Sequence, residues 1–458
     1  MLKIRRAPSR GALRLRPVPE GDHPSGFRGR PGEVLQFSPE ERWVGAGSAS
    51  SPHEWERVGA ACIAAAGETA RVALDARGLS APCAVSLATG ALLRAWRFDR
   101  LRAARRPRRI ELLVDDPSLL DEPWARAEAA LAGAAFAREL VAEPGNHLTP
   151  GAFAKRLRAL RKEGLEVAVL GRKALRRLGA GGLLAVGQGS AHPPRMVLLR
   201  WKGGFKAPPV AFIGKGICFD TGGISIKGAA GMEAMRADMA GAAACAGAML
   251  ALARRRSPCP AVAVLAIAEN ATSGMAYRPG DVLQMMSGRT VEVVDTDAEG
   301  RLVLADALHL AARRFRPQAL LDLATLTGSV VTALGHHRAG LFGNDAALGA
   351  AVTAAGEVVG ERLWPLPIGE RHREDLKSDI ADLKQCVPAG RGPQPDASHA
   401  AAFLREFVGA LPWAHLDIAG VDLAETAECL AAKGTPTGFG VRLLDALVER
   451  HFEDPHRL

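Results

Sequence analysis

Acidic residues and one arginine alternate along the stretch VVDTDAEGRLVLADAL, residues 293–308. They are Asp295, Asp297, Glu299 and Arg301, and they lie between an apolar run typical of a β-strand and an apolar repeat typical of a helix. The carboxyl end of a strand is where open α/β sheets bind ligands. Two carboxylates held together repel each other unless they share a proton or a cation compensates them. The stretch therefore predicts a site, although a solvated turn with an acid near the helix N-terminus explains it equally well.

A second charged group lies upstream and contains Lys215, Asp220, Lys227 and Asp238. Lys215 and Asp220 follow the apolar strand VAFIG, so we expect them at a strand's carboxyl edge too. Asp238 lies beside an apolar face at helical spacing, where a buried carboxylate is costly unless a cation compensates it. Taken singly, an Asp238 that points to water next to Arg236 is the simpler explanation.

Together the two groups supply four carboxylates and two lysines, which are the ingredients of a hydrolytic site with two metal ions. Oxygen donors suit Mg²⁺, Mn²⁺ or Zn²⁺, and bridging acids hold such ions about 3.5 to 4 Å apart. Neither group contains histidine, which argues against a histidine-rich site for a single zinc ion. A lysine beside two dications can lose its proton and bind metal as a neutral amine.

The elements that must position these residues predict an α/β protein with two domains. Residues 1–118 are expected to form a small N-terminal α/β domain, in which residues 1–30, rich in Pro, Gly and Arg, are expected to be poorly ordered. Residues 119–458 are expected to form the larger catalytic α/β domain. Strands alternate there with helices, which predicts a mainly parallel, mixed central sheet flanked by helices.

Composition narrows the classes of protein further. The 458 residues carry a formal net charge of +10, and the arginine-rich segment 97–109 is dense enough to bind phosphate. A nucleic-acid-binding protein, with or without a hydrolytic activity at the acidic site, is the alternative that this segment raises. A single Tyr and 5% aromatic residues argue against a stacking platform for single strands, so a solvated basic loop is favoured.

The cellular location is also constrained by composition. Seven scattered cysteines without a CxxC pair indicate reduced thiols in a cytoplasm. The basic N-terminus lacks the apolar region and cleavage site of a secretory signal. No window holds eighteen consecutive strongly apolar residues, so we expect no membrane span.

Seven sequence motifs between about residues 130 and 446 resemble the leucyl (cytosol) aminopeptidase family. They are GKGICFDTGGISIK, MRADMAGAAA, SGMAYRPGDV, DTDAEGRLVLADAL, ATLTG, LKSDIADLK and AHLDIAG. Residues 27–110 resemble, more faintly, the short N-terminal domain of bacterial members. The resemblance implies a metal-dependent enzyme that removes the N-terminal residue, preferably Leu or another apolar residue, from peptides with a free N-terminus. It also implies a homohexamer built from two trimers.

The same resemblance implies which residues bind the two metal ions, Mn²⁺ or Zn²⁺. Lys215, Asp220, Asp238 and Glu299 would hold one ion. Asp220, Asp297 and Glu299 would hold the other, so that Asp220 and Glu299 bridge the pair. The free α-amino group of the peptide would bind one of the ions, which would restrict cleavage to the first residue.

Catalytic and substrate-binding residues follow from the resemblance as well. Lys227 would polarise the scissile carbonyl and stabilise the oxyanion. Arg301 would hold a bicarbonate ion that acts as general base, because its planar guanidinium matches a planar anion. Met235, Thr325 and Gly328 would surround the first side chain of the peptide.

The sequence departs from the family pattern at two places. Asp295 stands where the family usually has Asn, two residues before the ligand Asp297. The segment PAGRGPQPDASHAAAFL, residues 388–404, replaces the Gly-rich stretch that usually precedes AAAFL. We therefore leave Asp295 out of the site and expect the second segment to alter the rim of the active site.

Overall fold

The computed structural model describes residues 2–102, 108–388, 394–426 and 430–453. The chain divides into two compact units, which are residues 1–131 with 424–437 and residues 132–423 with 438–458. The boundary predicted between residues 118 and 119 stays a prediction.

The first unit is built on a six-stranded sheet with the strand order β1-β6-β5-β2-β4-β3. All neighbours are parallel except β3 and β4, which form an antiparallel hairpin. The elements are β1 Leu2–Arg5, β2 Leu13–Pro19, β3 Val34–Ser38, β4 Glu41–Gly47, α1 Pro52–Ala65, β5 Arg71–Asp75, α2 Ala81–Ala95, β6 Arg109–Leu113 and the start of α3 Asp121–Ala142, with short 3₁₀ turns at Pro24–Gly26 and Pro117–Leu120.

The expectation that residues 1–30 are poorly ordered is wrong, because this stretch contains β1 and β2. Leu13 and Leu15 are buried and alternate with Arg14 and Arg16, which is the two-residue period of a strand with one apolar face. β2 pairs with β4 on one side and β5 on the other. The prediction failed because it relied on the composition of residues 1–30 and did not take this short alternation into account.

Helices α1 and α2 pack closely in the first unit. Ser51 and Glu54 form a reciprocal capping box that fixes the start of α1. A Cβ at Gly90 of α2 would lie 1.8 Å from the carbonyl oxygen of Glu56, so the helices can approach this closely only with glycine there.

The second unit is built on an eight-stranded sheet with the order β15-β14-β17-β13-β9-β10-β8-β7. The central strands β17, β13, β9 and β10 are parallel, while β14 and β8 run antiparallel to their inner neighbours. This mainly parallel, mixed sheet with flanking helices confirms the predicted α/β fold class. Its strands are β7 Glu166–Leu170, β8 Arg195–Trp201, β9 Val210–Asp220, β10 Ala261–Asn270, β13 Ala319–Ala324, β14 Ala339–Gly343, β15 Leu363–Pro365 and β17 Trp413–Asp417.

The helices of the second unit surround this sheet. After the end of α3 they are α4 Pro150–Arg158, α5 Arg172–Leu178, α6 Gly181–Val186, α7 Ala240–Arg254, α8 Glu299–Phe315, α9 Gly328–Leu334, α10 Ala346–Val359, α11 Glu370–Glu374, α12 Asp396–Arg405 and α13 Val441–Leu447, with 3₁₀ turns at Ala159–Glu163 and Met232–Ala237 and a π-helical turn at Val448–Phe452. None of the described helices is long and apolar enough to cross a membrane.

A small separate sheet precedes α8 and changes the sequence-based view of the acidic stretch. It has the order β11-β12-β16, from Val282–Gln284, Thr290–Glu292 and Leu383–Lys384. The alternation of strands and helices suggested that the strand before Asp295 belongs to the large sheet. It is instead β12 of this small sheet. Residues 293–298 form the turn from β12 into α8.

Candidate active site

Lys215 is the centre of one half of the charged cluster. It lies in the buried strand β9, between its parallel neighbours β10 and β13. Its Nζ atom is 2.9 Å from Asp238 Oδ1, 2.8 Å from Glu299 Oε1 and 2.9 Å from the carbonyl oxygen of Thr325, to which it donates a hydrogen bond. A Cβ at Gly300 would lie 2.8 Å from the Lys215 side chain, so the glycine after Glu299 makes room for it.

Lys227 is the centre of the other half. Its Nζ atom lies 2.9 Å from Asp220 Oδ2 and also forms an ion pair with Asp297. Asp220 is the last residue of β9, and its Oδ1 accepts a hydrogen bond from the Gly222 N–H at 2.9 Å. Gly222 has a φ of 85°, which an L-residue rarely adopts, and this lets the chain turn back so that Lys227 reaches the acids.

Three of the acids lie close to one another. Oxygens of Asp220, Asp297 and Glu299 lie within 4.8 Å of one another. Glu299 is the first residue of α8, and Asp297 lies in the turn before it. The Asp297 N–H donates to Asp295 Oδ1 at 2.9 Å, so the Asp295 carboxylate stabilises the turn that presents Asp297.

Asp238 joins this cluster from a different element than expected. It follows the 3₁₀ turn at Met232–Ala237 and precedes α7, so it lies between two helical segments and not inside one helix. Its Oδ1 accepts a hydrogen bond from the Thr325 hydroxyl at 2.7 Å. The explanation that Asp238 points to water is wrong, because its side chain is only 7% exposed.

Burial and mutual repulsion dominate the electrostatics of the cluster. Burial raises the pKa of Glu299, and the nearby charge of Asp220 raises it further. Burial followed by the charge of Asp220 also raises the pKa values of Asp238 and Asp297. Burial would lower the pKa values of both lysines, but the surrounding carboxylates raise them above their usual range.

The cluster has the properties of a site for divalent cations. Four carboxylates against two ammonium groups leave a formal charge of −2. Within the described residues, the buried oxygens Asp238 Oδ2 and Glu299 Oε2 have no hydrogen-bond partner. Buried acceptors without a donor are costly, and a hard cation satisfies them. This oxygen-rich donor set therefore fits divalent cations.

Three polar residues that the sequence analysis did not select support the cluster. Asn270 ends β10 opposite Asp220, and its Nδ2 donates to Asp220 Oδ1 at 2.8 Å and to the Thr296 carbonyl at 3.0 Å. The Tyr277 hydroxyl donates to the same carbonyl at 2.8 Å, and the Thr296 hydroxyl donates to the Gly222 carbonyl at 2.6 Å. Asn270 had a signal in the sequence, since it ends a strand beside β9, and Tyr277 is the only tyrosine of the chain.

Arg301 lies on the same first turn of α8 as Glu299 and is only 2% exposed. Its NH1 group donates to the Gln385 carbonyl at 2.9 Å, and its NH2 group donates to Asp396 Oδ1 at 2.9 Å. Asp396 is the first residue of α12 and belongs to the segment that departs from the family pattern. The sequence analysis did not select it.

The three residues predicted to bind the substrate's first side chain lie on different elements. Thr325 contacts Lys215 and Asp238 directly. Met235 is half-buried, and its carbonyl accepts the Asp238 N–H at 3.3 Å. Gly328 starts α9, and a Cβ there would meet nothing within 4 Å, which leaves open space. Thr325 is thus in the cluster, while Met235 is joined to it through the backbone of Asp238.

The arginine-rich segment 97–109 is only partly described, because residues 103–107 lie outside the described ranges. Arg97 forms an ion pair with Glu68, with two nitrogen–oxygen distances of 3.1 Å. Arg108 donates a hydrogen bond to the carbonyl of Gly67. These two arginines therefore contact their own unit, which does not favour a nucleic-acid interface.

Residues 135–445 match the family model described as the cytosol aminopeptidase family, catalytic domain. A probable cytosol aminopeptidase of Rhizobium rhizogenes is 45% identical over 427 residues, covering 90% of this chain and 85% of the relative. One of Brucella anthropi is 44% identical over 414 residues, covering 87% and 82%. A structure titled bottromycin maturation enzyme BotP in complex with Mn has a TM-score of 0.87 and 36% identity, covering 96% of this chain and 99% of that chain.

Fold and site therefore define a metal-dependent hydrolase with a mixed α/β fold. The chain belongs to the cytosol aminopeptidase family and is a metal-dependent aminopeptidase. The predicted resemblance is thus confirmed, while the individual ligand and catalytic roles stay predictions.

Replacing Asp297 by Asn should lower the metal content of the purified protein. An amide oxygen is a weaker donor than a carboxylate, and Asp297 is partly exposed, so the fold should persist. Elemental analysis after dialysis against limiting Mn²⁺ should show a fall from about two ions per chain toward about one, as expected for loss of one site of a pair.

The matched control is Asp295→Asn, two residues away. An Asn oxygen there still accepts the Asp297 N–H, so metal content should be that of the unaltered protein. Equal metal loss in both variants would show that the turn, and not the Asp297 carboxylate, is what matters.

Proposed function

We propose that this aminopeptidase removes Leu or another apolar residue from the N-terminus of peptides by a two-metal mechanism. The observation that carries the proposal is the buried group of acids, three of which have oxygens within 4.8 Å of one another. One ion would be held by Lys215, Asp220, Asp238 and Glu299, and the other by Asp220, Asp297 and Glu299.

Mn²⁺ or Zn²⁺ are the ions proposed for this site. The related structure that was solved with Mn supports Mn²⁺. When bound, such ions acidify water and polarise a carbonyl group. Lys215, 4% exposed in its side chain and surrounded by carboxylates, would bind as a neutral amine, because neighbouring dications disfavour its ammonium form.

Lys227 is the proposed oxyanion donor. Its side chain is 24% exposed, so it is partly accessible to solvent, and its ammonium group contacts Asp220 and Asp297. A fixed positive charge next to the scissile carbonyl would stabilise the negative charge that develops there. When the acids bind dications, Lys227 loses part of its role as their counter-ion and is available to the substrate.

The proposed specificity for the first residue rests on two groups of contacts. The free α-amino group of the peptide would bind at the metal pair, which fixes the position of the first peptide bond. Met235, Thr325 and Gly328 would surround the first side chain. A flexible thioether accepts apolar side chains of several shapes, and the resemblance implies no acid in this pocket that would pair with Lys or Arg.

Three further parts of the proposal come from the family and from composition. The enzyme would act in the cytoplasm, where the cysteines described as free would stay reduced. It would assemble as a homohexamer. Bicarbonate at Arg301 would act as general base, unless a group of the chain itself holds that position.

Removal of metal should abolish the proposed activity. The chelated and dialysed enzyme should not hydrolyse leucinamide or a Leu-initiated peptide, and added Mn²⁺ or Zn²⁺ should restore turnover. An N-acetylated form of the same peptide is the control and should not be cleaved, because it lacks the free amine. Full turnover by the metal-free enzyme, or cleavage of the acetylated peptide, would overturn the proposal.

Replacing Lys227 by Ala should lower kcat by on the order of a hundredfold, as loss of an oxyanion donor does. KM and metal content should change little, and Lys227→Arg should keep part of the activity. Lys206→Ala, at an exposed lysine of the same unit, is the matched control. If Lys227→Ala unfolds the enzyme or removes its metal, the lysine is structural.

Replacing Met235 by Ala should reduce the preference for Leu over Ala as the first residue. One methylene group in an apolar pocket changes kcat/KM by about 10- to 200-fold. The ratio of kcat/KM for the Leu amide to kcat/KM for the Ala amide should therefore decrease by a factor of this order. The control is Met275→Ala, because Met275 is 70% exposed. An unchanged ratio would place the pocket elsewhere.

A further inference from the structure

The resemblance implies a bicarbonate ion at the guanidinium of Arg301, but in the structure this guanidinium contacts a carboxylate of the chain itself, that of Asp396. The guanidinium NH2 group donates to Asp396 Oδ1 at 2.9 Å, and NH1 donates to the carbonyl of Gln385. Asp396 is the carboxylate that pairs with this buried cation, since the Arg301 side chain is only 2% exposed and the nitrogen–oxygen distance of the ion pair is 2.9 Å. A planar guanidinium binds a carboxylate and a bicarbonate ion through the same donors.

The backbone around Asp396 fixes it in this position. Pro395 is the N-cap of α12, and Asp396 follows as the first helical residue, where the helix dipole favours a negative charge. The next N–H, that of Ala397, donates to Ser329 Oγ at 2.8 Å, which anchors the start of the helix. The acid therefore belongs to a ten-residue helix that is tied to α9.

A second anion at Arg301 would meet unfavourable conditions. Each terminal nitrogen of the guanidinium already donates one hydrogen bond, to Gln385 or to Asp396, and Nε is the guanidinium nitrogen without a partner among the described residues. A bicarbonate ion that bound there would stand beside the like charges of Asp396 and of Glu299, which lies two residues before Arg301. Like charges in a buried site disfavour each other strongly.

We propose that Asp396 replaces bicarbonate at Arg301 and supplies the carboxylate base of this enzyme. The inference rests on the proposed peptidase mechanism. Asp396 would accept the proton that the attacking water loses as its oxygen bonds to the carbonyl carbon. It would then return this proton to the amine nitrogen when the C–N bond breaks, so the carboxylate is regenerated. Its side chain is 39% exposed and is therefore accessible to solvent.

Binding of ¹³C-bicarbonate is the first test and does not require turnover. The Zn²⁺-loaded enzyme should leave the ¹³C line width unchanged, while Asp396→Gly should broaden it in a saturable way. Adding Arg301→Gln to that variant should remove the broadening, because the anion then has no guanidinium. Saturable binding by the unaltered enzyme, lost with Arg301→Gln, would overturn the proposal.

The second test measures kcat in CO₂-free buffer with and without added bicarbonate. The unaltered enzyme should be indifferent to bicarbonate. Asp396→Gly should lose on the order of a hundredfold in kcat, as loss of a general base does, and added bicarbonate should restore most of it. Asp396→Asn keeps the size of the side chain without its charge, so it should be slow and poorly rescued. Asp379→Gly, at an exposed acid, is the control.

The results separate this inference from the proposed function. Stimulation of the unaltered enzyme by bicarbonate, or an Asp396→Gly variant with full kcat, would overturn the role of Asp396 while leaving the peptidase activity intact. If the unaltered enzyme hydrolyses no aminoacyl amide with either metal, the proposed function fails. The binding experiment still shows whether Asp396 or bicarbonate is bound to the guanidinium of Arg301.

Discussion

The arrangement of the second unit depends on one electrostatic constraint, which is that four carboxylates share a buried volume. Carboxylates this close cannot all be charged without cations, and burial makes their repulsion stronger. Lys215 and Lys227 each stand between two of the acids. Because unpaired buried charges are costly and two lysines offset only two of the four carboxylates, further positive charge stabilises this cluster.

The sheet and its helices meet this constraint by bringing separate segments to one edge. β9 supplies Lys215 and Asp220, and α7 approaches β9 so closely that a Cβ at Gly214 would lie 2.4 Å from Ala242. This close approach holds the segment before α7, and with it Asp238, beside Lys215. The parallel strand β13 leads directly to Thr325, which contacts both residues. Polar contacts continue behind the edge, where the buried Asp322 of β13 accepts hydrogen bonds from Trp413 and His415 of β17, each at 2.6 Å.

Much of this site could be predicted from the sequence, because its residues belong to segments with clear local patterns. Strand β9 and the amphipathic α8 have clear periodicity, and the charged residues stand at their ends. What could not be predicted is how the loops fold. β12 resembles any other strand in sequence, but its three residues pair with β11 and β16 in a separate sheet. Similarly, the alternation of Leu13 and Leu15 with arginines was too short to outweigh a composition typical of disorder. The contact between Arg301 and Asp396 joins residues 95 positions apart, and no local pattern reports a contact of that range.

The two departures from the family pattern act on the same part of the site. Asp295 directs its carboxylate to the Asp297 N–H, so it shapes the turn that presents Asp297. Gln385 donates from Nε2 to the Asp295 carbonyl at 2.6 Å, and its own carbonyl accepts from Arg301 at 2.9 Å. The turn that carries Asp297 is thereby tied to the guanidinium that contacts Asp396. Changes at Asp295 and at residues 388–404 therefore meet at Arg301, whereas the resemblance implies no departure among the acids and lysines of the cluster. A sequence change near Arg301 requires only that some carboxylate faces the guanidinium, because its N–H groups donate equally well to any planar carboxylate-like anion. Replacing a metal ligand would instead leave a buried cation or carboxylate without its partner.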